Sequence, residues 1–150
     1  MNTSLQTSTL PLIARLLLAP LFILSGVGKL TAAKGTIAYI AATGAPLPEV
    51  GYALAIAVEI GGGILLLLGF KTRAAAGAIA LFSLGAAVLF HSNFADQNQM
   101  IHFMKNVAIA GGLLQFVAFG AGAFSLDAAR RERTAARDHR ASAVQGTRLG

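Results

Sequence analysis

Glu59 is the only charged residue in the run Gly51–Phe70, and it sits close to the middle. A run of about 20 apolar residues is the length that crosses a bilayer as a helix. A charged, unpaired carboxylate at that depth costs roughly 2.5–3.5 kcal/mol or more. The other spans must therefore shield it, pair with it or keep it protonated. A carboxyl so placed can carry a proton or accept hydrogen bonds from a polar head group. Arg15 lies within the first apolar run, Lys29 at its far end, and Lys105 and Asn106 at the start of the last one. His91 and His102 flank a polar stretch containing Asp96. That spacing has none of the tight histidine patterns of a metal centre, so the two histidines are read as interfacial polar groups and no metal is expected. Gly61-Gly62-Gly63 follows Glu59 closely, inside the span, and is read as a packing face rather than a phosphate cradle.

Composition says what must position these groups. Of 150 residues, 55% are hydrophobic and only 12% charged; mean hydropathy is +0.68. A soluble domain carries about twice that charge, so the chain is an integral membrane protein contacting the lipid bilayer. It has no cysteine, which excludes disulfides, thiol redox chemistry and cysteine-bound metal. The net charge of +6 suggests nucleic acid until it is located. Six of the 12 Lys and Arg residues fall in the last 21 positions, in a tail with no recognition fold, so no nucleic-acid partner is expected.

The expected fold is all-α: a four-helix membrane bundle with spans at about 10–30, 50–70, 74–91 and 103–124. Residues 1–9 form a short polar N-terminus. Pro11 suits a first helical turn, and Pro20 should kink the span. The first run has no basic n-region, is interrupted by Arg15 and is long, so it reads as a retained span rather than a cleaved signal. Residues Thr36–Thr43 form a short interfacial helix with Tyr39 at head-group level. Gly44-Ala-Pro-Leu-Pro48 breaks it. The tail 125–150 is basic; its alanine-rich start extends as a helix and its end is expected to be disordered.

Four spans put both termini and the Lys71-Thr-Arg73 turn on one side, and the positive-inside rule makes that side cytoplasmic. The tail arginines, Arg140 and Arg148 among them, then face anionic lipid. Lys29 is read as snorkelling to the outer interface. Glu59 lies about 13 Å in from the outer face and Arg15 about 7 Å in from the cytoplasmic one, at 1.5 Å per residue. A pair with Arg15 or with Lys105 is within reach, and the sequence does not choose between them. Two readings of Glu59 follow: the floor of a polar cavity opening outward, or a buried pair that fixes helix register.

The order of elements resembles the DoxX family of bacterial inner-membrane proteins. The matching pieces are Arg15-Leu-Leu-Leu, Ser25-Gly-Val-Gly-Lys29-Leu and Gly44-Ala-Pro-Leu-Pro48. They continue with Val58-Glu-Ile-Gly-Gly-Gly through Gly69, Lys71-Thr-Arg73, and Lys105-Asn-Val-Ala-Ile-Ala-Gly-Gly-Leu-Leu114. The resemblance covers about residues 10–124. It implies a multi-pass inner-membrane bundle in which Arg15, Lys29, Glu59, Lys105 and Asn106 match the family's polar positions. The family name is tied to a subunit of thiosulfate:quinone oxidoreductase, so the resemblance also implies a redox setting, a quinone as the candidate cofactor and a redox partner protein that would handle any sulfur. It assigns this chain no reaction of its own. A non-catalytic anchor for a partner and a small transporter, the latter requiring a homo-oligomer to make up its size, are the competing readings.

Overall fold

The computed structural model describes the backbone of residues 3–148 and the side chains of residues 9–139. It is all-helical among the described residues. Helix α1 is Thr3–Thr31, α2 Ala33–Ala42, α3 Pro48–Leu68, α4 Thr72–Phe90, α5 Gln97–Phe119 and α6 Leu126–Arg148. Four stretches are long and apolar enough to cross a membrane: Thr9–Thr31, Pro48–Leu68, Thr72–Phe90 and Gln97–Phe119. The large apolar residues on their outer faces are open, with Leu17 74%, Leu81 73% and Phe119 78% exposed. That much uncovered hydrocarbon suits lipid contact and would be a liability in water.

Local chemistry explains most boundaries. Helix α3 begins at Pro48, whose missing N–H costs nothing in a first turn. It ends at Gly69, which takes φ +66°, with Phe70 N–H donating to Leu65 O at 3.0 Å and Gly69 N–H to Leu66 O at 3.2 Å. This is the Schellman pattern, and it needs a residue without a Cβ at the left-handed position. Helix α5 starts at Gln97, six residues before the expected 103, because the Asp96 carboxylate accepts from Asn98 N–H at 2.8 Å and caps it. Helix α1 begins ahead of Pro11 and runs without a break through Pro20. Helix α2 covers the expected short helix but starts three residues earlier, at Ala33; Tyr39 is 54% exposed and stacks on Phe90 at 5.3 Å. Helix α6 continues to Arg148, beyond the alanine-rich start that the sequence favours. The Arg140 and Arg148 side chains and the N-terminal side chains before residue 9 lie outside the described residues.

The core runs through α1, α3, α4 and α5, with Ala19, Phe22, Leu66, Ile79, Leu113 and Phe116 at its centre. Helices α4 and α5 form the most extensive pair. Small residues let helices close up where large apolar ones cannot, since lipid supplies no hydrophobic drive between them. A Cβ on Gly26 would meet Ile60 Cγ1 at 2.5 Å, one on Gly63 would meet Ile23 Cγ1 at 2.8 Å, and one on Gly62 would meet Ile79 Cγ1 at 3.0 Å. Gly61 has no neighbour within 4 Å of a built Cβ. So two of the three consecutive glycines are packing positions, and the third faces away from the bundle.

Candidate functional site

The carboxylate of Glu59 is held by Lys29. The Lys29 ammonium lies 2.8 Å from both Oε1 and Oε2. It also donates to Ser25 Oγ at 2.8 Å, and Ser25 Oγ donates on to Glu59 Oε1 at 3.2 Å. Ser25 and Lys29 stand four apart on α1, so both face the same groove. Tyr52 Oη donates to Lys29 O at 3.4 Å from the start of α3. Glu59 is buried, with 6% of its side chain exposed, whereas 27% of the Lys29 side chain is exposed. The pair is closed on the bundle side and open on the lysine side.

The backbone carries a further mark. Residues Ala57–Gly62 form a π-helical turn within α3, flanked by α-helix on both sides. A π turn spends an extra residue to re-aim the side chains in it, and such turns gather at functional sites. Glu59 is in this turn, and Gly26 lets it approach α1, since a Cβ there would stand 3.2 Å from Glu59 Cβ.

Two expectations are corrected here. Lys29 does not snorkel away from the bundle; it turns inward because the buried carboxylate offers its charge a better partner than the interface does. Neither of the two cations expected as partners reaches Glu59. Arg15 is 1% exposed and donates from Nη1 to Leu67 O at 3.0 Å and from Nη2 to Phe124 O. Lys105 Nζ lies 3.0 Å from His102 Nδ1, and Asn106 Nδ2 donates to His102 O at 3.0 Å. His91 Nδ1 is 2.8 Å from Gln99 Oε1, and the His91 and His102 rings are 5.0 Å apart. Lys105, Asn106 and the two histidines thus form a separate polar cluster where α4 passes into α5. No group of three or more histidine, cysteine or acidic side chains suited to a metal ion occurs among the described residues.

The residues expected to form one site therefore divide into three places. The sequence reading missed Ser25, Tyr52, Asp127 and the carbonyls of Leu67 and Phe124. For Ser25 a signal was present: a hydroxyl four residues before a lysine on an otherwise apolar helix. For the carbonyls there was none, because any residue type supplies one. Asp127 binds the backbone at the opposite end, accepting from Lys71 N–H at 2.8 Å and Thr72 N–H at 2.9 Å. Burial pushes its pKa up, but the N–H groups of Thr72 and Lys71 and the charge of Arg131 outweigh that and hold it below 3.8.

Comparison with known proteins bears on the same segment. A family model described as DoxX matches residues 10–92, which include Arg15, Lys29 and Glu59. The inner membrane protein YqjF of Escherichia coli is 46% identical over 119 residues, covering 77% of this chain and 88% of that protein. The inner membrane protein YphA of the same organism is 40% identical over 121 residues, covering 77% of this chain and 86% of that protein. No solved structure matches the chain significantly.

Proposed function

The chain belongs to the DoxX family and is a multi-pass inner-membrane protein, and from that premise we propose that it serves as the membrane subunit of a redox system, with the Lys29–Glu59 pair receiving a quinone head group. The observation that carries this reading is the ion pair at the π turn, buried on its glutamate side and open at Lys29. An ammonium donates to a quinone carbonyl, and a carboxylate accepts from a quinol hydroxyl. The pair thus offers one group to each redox state of the ligand. Intramembrane ionisable residues mark ligand or proton paths by default. Electrons would come from a partner protein. In this reading both termini and the Lys71–Arg73 turn face the cytoplasm, where the positive-inside rule puts them.

The test is direct. The protein is purified in mild detergent and extracted with organic solvent, and quinone is measured by absorbance and mass. Stoichiometric quinone in the wild type, lost in Glu59→Gln with folding unchanged, is the expected result. Equal quinone in both proteins removes Glu59 from the site. Quinone in neither favours a non-catalytic anchor. That second reading draws on Gly61, which faces away from the bundle with open space around it. As an anchor, the protein would keep its partner in Glu59→Gln and lose it in Gly61→Leu.

A further inference from the structure

We propose that the cleft between the start of α4 and the start of α6 binds the phosphate head group of an anionic phospholipid. The open cleft has a volume of about 450 Å³, and its lining includes Lys71, Arg73, Asp127, Arg130 and Arg131. Four cations face one carboxylate. That carboxylate is already committed, since its two oxygens accept from Lys71 N–H and Thr72 N–H. Among the lining residues, four cations against one carboxylate leave an excess of positive charge. Arg130 is steadied over the Phe70 ring, its guanidinium carbon 5.3 Å from the centroid, so part of the cost of ordering it is already met. Guanidinium groups match phosphate oxygens two at a time.

Position selects a lipid over a soluble anion. The cleft lies at the membrane boundary: span α3 ends at Leu68, α4 begins at Thr72 and α5 ends at Phe119. Leu68, three residues before Lys71, is 49% exposed, and Phe119, next to the lining residue Gly120, is 78% exposed. A phosphate in the cleft leaves acyl chains free to lie on that hydrocarbon. Basic pockets between transmembrane helices are the usual seat of such head groups. The inference is independent of the quinone reading, because the cleft is at the other end of the bundle from Lys29 and Glu59.

The full-length protein, purified in detergent, is titrated with cardiolipin, phosphatidylglycerol or phosphatidylcholine, and bound lipid is counted by native mass spectrometry. The two anionic lipids should bind in preference to phosphatidylcholine. Replacing Arg73 and Arg130 by Gln should weaken that binding about thirtyfold, or five- to sixfold per charge removed. A second double variant, Arg133→Gln with Arg137→Gln, changes charge on α6 outside the cleft and should retain most of the binding. Equal loss in both variants would mean diffuse attraction to the tail and overturn the site. So would equal binding of phosphatidylcholine by the wild type. Inorganic phosphate is the last arm: if it displaces the anionic lipid at matched ionic strength, the cleft is a site for free phosphate and the lipid assignment fails.

Discussion

Arg15 and Glu59 are both charged, both buried and both inside a membrane span, yet the bundle uses them in opposite ways. Arg15 is tied to main-chain carbonyls. Its guanidinium joins α1 to the end of α3 through Leu67 O and to the turn before α6 through Phe124 O. The backbone makes room for it: a Cβ on Gly69 would collide with Arg15 Nη1. Pro11 closes the same end against Gly122, where a Cβ would lie 2.9 Å from Pro11 Cβ. Glu59 is tied to side chains that can be exchanged, an ammonium and a hydroxyl, one of them partly open to the surroundings. A planar, permanently charged fork suits fixed carbonyls, while an ammonium is a point charge that can release one acceptor for another. The difference teaches that burial of a charge does not by itself mark a functional site. What its partners are, and whether a ligand could replace them, decides.

The comparison can be broken most forcefully at Arg15. Arg15→Met leaves the Leu67 and Phe124 carbonyls without their donor and should cost about 3 kcal/mol or more, at 1.5–3 kcal/mol for each charged hydrogen bond. Unfolding in detergent measures it. A loss below that of replacing Lys29 would mean that the clasp is not the stronger structural element.

Next comes Lys29→Met, expected to cost about 1–2 kcal/mol; the buried-pair range of about 3–5 kcal/mol is reduced by the lysine's exposure. Adding Glu59→Met should recover part of that loss, since the double variant no longer buries an unpaired acid. If the double variant is less stable than Lys29→Met alone, the pair is architecture like Arg15 and the contrast disappears.

The smallest effect belongs to Asp127, which caps α4 from another helix. Asp127→Ala should cost about 1 kcal/mol at pH 6, the usual value of a cap. Against the upward push of burial, the Thr72 and Lys71 N–H groups and the charge of Arg131 hold its carboxyl below the ordinary carboxylate value in the fold. The stabilisation is therefore fully present above the unfolded-state pKa and is lost as the pH falls through the lowered one. The gap between wild type and variant should close in acid, once the pH falls through the lowered folded value; a gap that persists there would mean that the carboxylate is not what caps the helix.

How far the sequence could be read depends on the kind of interaction. Four spans and the short helix between the first two follow from apolar run length and proline, which act locally. The Asp96 cap was also local, but its polar helix start was read as loop because Gln97–Ile101 lacks the apolar run that marks a span. The unusual position of Glu59 was visible at once. Its partner was not. Arg15 and Lys105 both sit within a long side chain's reach on a straight-helix estimate while Lys29 was placed at the interface, and rise per residue says nothing of rotation about the axis.

The sequence alone determined that the chain crosses the membrane four times and that Glu59 needs a partner, because hydrophobic length and charge burial are properties of the residues themselves. Tertiary structure decided which cation answers it. The π turn at Ala57–Gly62 and the close approach at Gly26 set the facing of α3 against α1. That facing brings Lys29 to Glu59 and leaves Arg15 to the carbonyls at the other end, while Lys105 stays beside His102, three residues before it on the same helix.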